Sequence, residues 1–358
     1  MSIPFEKKRY KGMKKIFIGI DFSKEKFDAT VIKAEGVEER AARQHEQFDN
    51  KVSGFRRLLK WVRSVVDEHD TALWLFCGEN TGGYSKPLCN FLYGSGYDMW
   101  LENALSIKRS YALQRVKSDK ADSGIIAEYA MRNYDQMRLY EPLSKNLERL
   151  REVFLYRHYL VRHKASLMVR KGEKQLTQEK SDISRFMVMS SKHLISEFGK
   201  KIAECDKRIQ QIIAEDEELQ RNFEVITSIP GVGMQNAVCL MVYTDNFKRF
   251  DNDSRKIACY YGVAPFGRQS GTSVNTPAHV SPFANKLIKS LLTQAARASV
   301  NFCPQMAIYY NRMVEAGKKK PVAINNVKNK LLHVIMAMVR KGEKYNPDYD
   351  YHAAIEAA

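Results

Sequence analysis

Between Lys14 and Ile32 the chain reads KKIFIGIDFSKEKFDATVI: an apolar run from Ile16 to Ile20 delivers Asp21, a polar SKEK segment follows, and a second apolar run fills Phe27 to Ile32. Short apolar runs bounded by turn-forming residues predict buried strands, and two runs this close predict a hairpin. Phe55, Leu58, Leu59, Val62, Val65 and Val66 then recur at helical intervals, and Ala72 to Cys77 is again strand-like. An amphipathic stretch at Pro87 to Leu92, a short strand at Asp98 to Leu101 and helical spacing over Ser118 to Tyr134 complete the region. Strands alternating with helices predict an α/β domain over 1–141.

From Pro142 to Asn222 the pattern changes. Glycine and proline nearly vanish, charge is dense, and Leu147, Leu150, Phe154, Leu160, Ile202, Ile209, Ile212 and Ile213 recur at helical intervals. Two long helices folded as a coiled hairpin are expected over 142–222, either as a linking arm or as a dimerisation element. Residues 223–358 read as mainly helical, with helices at Met234 to Tyr243, Ala284 to Val300 and Ile324 to Arg340.

Charge narrows the partners. The 358 residues carry 58 Lys and Arg against 41 Asp and Glu, a formal net charge of +17 with 44% hydrophobic residues. Such a surface draws polyanions through long-range attraction and counterion release, so nucleic acid is the first partner to consider beside a merely solvated basic surface. Six cysteines stand without a CxxC pair, mostly in apolar runs, which points to reduced thiols and a cytoplasmic protein. The basic N-terminus lacks an apolar core with a cleavage site, and no window approaches the roughly 18 apolar residues of a membrane span.

Four carboxylates sit where an α/β sheet can gather them. Asp21 ends one strand, Glu79 ends another, and Asp119 and Asp122 share one turn of a helix. Phosphodiester cleavage is assisted by hard divalent cations, which oxygen ligands such as carboxylates hold. Each acid alone could equally cap a turn or a helix. Lys117 and Lys120 flank the paired acids as phosphate contacts or as charge balance.

In the last region Pro230-Gly231-Val232-Gly233 precedes a helix, where backbone N–H groups of Gly231 and Gly233 can meet a phosphate or simply start the helix. Arg255, Lys256, Tyr260, Tyr261 and Arg268 set cations beside aromatics, suited to phosphate contact with stacking or, for the tyrosines, to core packing. Ser270 lies in a Gly/Ser/Thr loop with Thr272 and Ser273 close by, and a hydroxyl there needs activation to act as a nucleophile. His279 and His333 are isolated and read as structural or surface residues.

Taken together, IGIDFSKEKFDATVI, FCGENTGGY and VKSDKADSGIIAEYA resemble the RuvC-like domain of the insertion sequence 110 family of DEDD transposases, related to the Piv DNA invertase. SIPGVGMQNAVCLM, KIACYYGVAPFGRQSGTSV and HVSPFANKLIKSLL resemble the same family's serine-bearing half. The resemblance implies a ribonuclease-H/RuvC-like domain and a helical transposase domain, on either side of the coiled-coil arm expected from the pattern. It implies an acidic tetrad at Asp21, Glu79, Asp119 and Asp122 binding Mg²⁺, and a nucleophilic serine at Ser270. It also implies target and donor DNA, a structured guide RNA, and a dimer or tetramer with composite sites. Where many members have Ser-Lys-Arg-Gly-Asn, this chain has Ser281-Pro282-Phe283-Ala284-Asn285, with Lys286 and Lys289 nearby. The expected activity is site-specific DNA recombination. The alternatives are a junction-resolving nuclease that uses water at the metal site, and a catalytically idle nucleic-acid-binding protein.

Overall fold

The computed structural model describes residues 15–33, 43–68, 70–110, 119–176, 181–250, 253–270, 274–280 and 284–348, with the backbone alone at 119–121, 174–176, 267–270 and 274–279. Two compact units divide the chain, Met1–Pro142 and Leu143–Ala358. Among the described residues no helix is long and apolar enough to cross a membrane.

The first unit is built on a five-stranded sheet. β1 (Ile16–Phe22) and β2 (Lys26–Lys33) form the expected hairpin, and β3 (Gln44–Asp49) extends it antiparallel. β4 (Trp74–Glu79) lies parallel to β1, and β5 (Met99–Glu102) lies parallel to β4, giving the order β3-β2-β1-β4-β5. The parallel strands are connected through helices, as parallel pairing requires: α1 (Val52–Val65) and α2 (Lys86–Gly94). Helices α1 and α2 bury Phe55, Leu58, Val62, Leu88 and Leu92 against one sheet face, with Ile16, Ile18, Ile20, Trp74 and Phe76. On the other face Phe17, Leu75, Cys77 and Trp100 meet α3 (Ala104–Ser110) and α4 (Asp119–Asn133) through Ile107, Ile126, Tyr129 and Ala130. Strand side chains alternate between faces, so odd-numbered residues of β1, including Asp21, face α4.

The sequence pattern did not anticipate β3 or α3. Gln44–Asp49 is QHEQFD, an edge strand whose only fully buried side chain is Phe48, so it lacks an apolar run. Over its described residues α3 spans seven positions, with Ile107 the one buried among them.

The second unit is helical apart from one hairpin. α5 (Lys145–Leu176) and α6 (Asp182–Ala214) are the two long helices and pack side by side. Ser181 caps α6 by accepting from the Ser184 backbone N–H at 3.1 Å. At the base of the pair Leu147, Leu150, Phe154, Ile209, Ile212 and Ile213 enter the unit's core. That core is completed by α7 (Glu217–Thr227), α8 (Met234–Tyr243), α9 (Ser254–Tyr260), α10 (Lys286–Phe302), α11 (Pro304–Glu315) and α12 (Lys320–Lys341). Bidentate Arg157 on Asp206, at 2.6 and 3.1 Å, joins α5 to α6, and Gln235 of α8 donates to the same carboxylate at 3.0 Å. The hairpin β6 (Pro265–Ser270) and β7 (Val274–Val280), with a register shift between Phe266 and Arg268, occupies a stretch read from sequence as loop.

Candidate active site and nucleic-acid contacts

Gly19 determines how closely α4 can approach the sheet. A Cβ at that position would stand 2.2 Å from the Ser123 carbonyl oxygen and 2.3 Å from the Ala127 nitrogen, so the helix backbone lies directly on β1. Thr30 Oγ1 and Ser123 Oγ share a buried hydrogen bond of 2.8 Å that ties β2 to the residue following Asp122. Asp122 is half-buried on α4, and Asp119 is the first described residue of that helix.

Register brings the strand acids together. β1 and β4 run in parallel with Ile20 opposite Gly78, and the next step along both strands brings Asp21 alongside Glu79, both half-buried. Glu79 in turn pairs with Glu102 of β5, and Asp21 pairs with Asp28 of β2. Asp28 is 8% exposed and fully engaged: His45 Nε2 lies 2.8 Å from Oδ1 and Gln47 Nε2 donates to Oδ2 at 3.1 Å. A row of four carboxylates therefore crosses the sheet on the side that α4 covers.

Neighbouring groups register that negative charge. Burial first, then Glu102 and buried Cys77, push the Tyr129 phenol up to about 12, and Tyr129 hydrogen-bonds Glu102. Burial and then Glu102 push the Cys77 thiol far up, so it stays a neutral core group and offers no soft thiolate ligand. The donor set at the strand ends and on α4 is thus carboxylate oxygen, which fits a hard divalent cation. Among the described residues no three such side chains converge on one point. The side chain of Asp119 lies outside the described residues, as do Lys117 and the side chain of Lys120.

Asp28 and Glu102 are absent from the acids picked out by sequence. The alternation in FDATVI places Asp28 on the same face as Thr30 and could have found it. Glu102 falls one residue beyond the strand end read at Leu101.

In the second unit Ser270 is the last residue of β6, its backbone paired with Val274. Its side chain and those of Arg268 and His279, together with Thr272, Ser273 and residues 281–283, lie outside the described residues. The Pro-Gly-Val-Gly turn divides its two glycines between roles. Gly231, at φ +91, sits where a Cβ would come 2.4 Å from the Ser299 nitrogen, so it is needed for packing on α10. Gly233 is exposed with open space around it at the start of α8, leaving that helix end accessible. Arg255 and Lys256 are exposed on the first turn of α9, which Asp253 caps from Oδ1 at 2.8 and 3.4 Å. Tyr261 is fully buried and Tyr260 packs on Phe250, with Arg249 over the Tyr260 ring at 5.1 Å, so both tyrosines belong to the core. His333 Nδ1 lies 2.8 Å from Ser254 Oγ, a structural role. Lys286 is exposed and Lys289 half-buried on α10, whose N-cap Asn285 accepts from the Leu287 N–H at 2.9 Å.

A carboxylate row on one sheet face, joined to a strongly basic helical unit, is the equipment of a DNA-processing enzyme, and comparison with known proteins defines it as a DNA transposase or recombinase. Residues 18–178 match the DEDD transposase model named for IS110, and residues 223–311 match the model described as "Transposase IS116/IS110/IS902 family". The chain belongs to the IS110 family of transposases and is related to the Piv type. It is 26% identical over 338 residues to the pilin gene-inverting protein of Moraxella bovis, covering 93% of this chain and 98% of that protein. An insertion element IS110 protein of 43.6 kDa from Streptomyces coelicolor is 32% identical over 121 residues, 34% of this chain and 29% of that protein.

Proposed function

We propose that the chain is a site-specific recombinase of a mobile element with an RNase H/RuvC-like catalytic domain. In this reading Asp21, Glu79, Asp119 and Asp122 hold Mg²⁺ and Ser270 is the nucleophile. One observation carries the reading: Asp21 and Glu79 stand side by side at the ends of parallel neighbours, and Asp122 lies on a helix packed on the same face. The strand order, antiparallel from β3 to β1 and parallel from β1 to β5, supports the fold assignment.

Bound Mg²⁺ would supply positive charge at the scissile phosphate and the leaving oxygen. The strands fix Asp21 and Glu79, and Gly19 with the Thr30–Ser123 bond fixes the helix bearing the other two acids; rigid supports of this kind preserve ligand geometry. Ser270 would bond through Oγ to phosphorus as the P–O bond to one sugar oxygen breaks, the serine proton passing to that oxygen, and the hydroxyl of a second strand end would later attack the phosphorus and return the proton to Ser270. Gly233, Arg255, Lys256, Arg268, Lys286 and Lys289 would hold backbone phosphates without reading bases. A structured guide RNA would supply sequence choice by pairing, consistent with a protein of charge +17.

The assembly would be a dimer or tetramer. The long helices expose Tyr156, Tyr159, Met168, Val169, Phe186 and Met189, with Phe186 71% exposed, and these apolar side chains support a coiled-coil contact between copies.

The test is a denaturing assay with cognate DNA, guide RNA and magnesium. A protein–DNA adduct present in the wild type and lost in Ser270→Ala is expected. Nicked product without any adduct would replace this mechanism with hydrolysis by water.

A further inference from the structure

Helices α10 and α12 pack against one another, and neither contains an Asp or a Glu. Lys328 of α12 is only 6% exposed, among the apolar side chains of Val327, Leu331 and Leu332 from its own helix. Lys289 and Arg297, two turns apart on α10, are the charged groups that act on it, and both are positive. Among the described residues no carboxylate is paired with any of the three. Lys289 is half-buried and Arg297 exposed, so the three cations run from the interior to the surface.

A buried ammonium normally has a counter-ion, because desolvation raises its energy and a second cation adds repulsion. Here both penalties act together without internal compensation. An anion arriving from outside would relieve both at once, and the ligand with delocalised negative oxygens that a DNA-processing enzyme always meets is the phosphodiester. We propose that Lys289, Arg297 and Lys328 form a phosphate-binding clamp for a nucleic-acid backbone, with Arg297 at the rim and Lys328 at its base. Burial, followed by Lys289 and Arg297, lowers the Lys328 ammonium to about 8, so it remains largely charged near neutral pH but can give up its proton in alkali. The site uses no base edge, so it contributes equally to every sequence. It needs neither the acidic row nor Ser270; it shares Lys289 with the backbone contacts proposed above and adds Arg297 and Lys328 to them.

The experiment measures binding of the full chain, without divalent metal, to fluorescein-labelled duplex DNA and, in a second arm, to labelled single-stranded RNA, over a salt series. Lys328→Met is expected to weaken binding several-fold and to reduce the slope of log affinity against log salt by about one phosphate contact, on every sequence tried, in the arm whose backbone occupies the clamp. Arg297→Gln, an exposed change, should lower the slope similarly and serves if Lys328→Met does not fold. Unchanged affinity and slope for the folded variants in both arms would overturn the clamp. Because divalent metal is omitted and no cleavage is read, the acidic site and Ser270 do not enter the measurement, so their failure and failure of the clamp are told apart.

Discussion

A Cβ on Gly19 would lie 2.3 Å from the backbone nitrogen of Ala127, so β1 and α4 touch backbone to backbone. Any side chain there must push the helix that bears Asp122 off the sheet. Gly19→Ala is expected to cost about 1–3 kcal/mol of stability, as overpacking usually does. Strand exchange should fall much further than stability does. Chemical denaturation paired with a recombination assay checks both; full activity in Gly19→Ala would show that helix placement is not limiting.

The Thr30–Ser123 hydrogen bond fixes the same helix laterally. Thr30→Val keeps the shape and removes one hydroxyl, with an expected loss of about 1–2 kcal/mol for a buried bond. Ser123→Ala should lose a similar amount, and the double variant less than the sum, since one bond is lost in all three. A double-mutant cycle by urea unfolding gives the coupling; additive losses would mean that the two hydroxyls act separately.

Lys328 makes a sign-definite prediction about pH. Its folded-state value of about 8 lies below the ordinary lysine value of about 10.4, so the unfolded chain holds more protons between those limits. The destabilisation is complete below about pH 8 and fades as pH rises towards 10. Wild type should therefore gain stability relative to Lys328→Met across that window and run parallel to it below. Thermal unfolding of both proteins from pH 7 to 10 shows it; parallel curves throughout would contradict the buried, unpaired ammonium.

Phe186 and Met189 are 71% and 61% exposed on α6. The proposed contact between copies predicts that changing both to Glu leaves helix content unchanged by circular dichroism and lowers the mass seen in sedimentation. An unchanged mass would contradict that contact.

Much of the first unit was legible because its strands are apolar runs: Ile16–Ile20 and Phe27–Ile32 became sheet, as did the Trp74–Cys77 part of Ala72–Cys77, whose first two residues lie in a 3₁₀ turn. The helical ranges also carried through, since Met234–Tyr243 and the two long helices have no internal breaker strong enough to end them. What escaped notice depended on pairing. Gln44–Asp49 is polar yet forms a strand by completing β2's ladder. Pro265–Ser270 and Val274–Val280 contain Pro265, Gly267 and Pro277, which mask β-propensity, so Ser270 was read in a loop and stands at a strand end. The acids on β1, β4 and α4 were visible as element ends, whereas Asp28 and Glu102 join the row only through register.

The most direct measurement is iron-directed cleavage of the protein. Fe²⁺ with ascorbate and peroxide produces radicals at a divalent-cation site, and the nearest backbone is cut. Cuts are expected at the ends of β1 and β4 and the start of α4, suppressed by excess Mg²⁺ and lost in Asp21→Asn. Cuts confined to other segments, or unaffected by Asp21→Asn, would contradict a metal site on the carboxylate row.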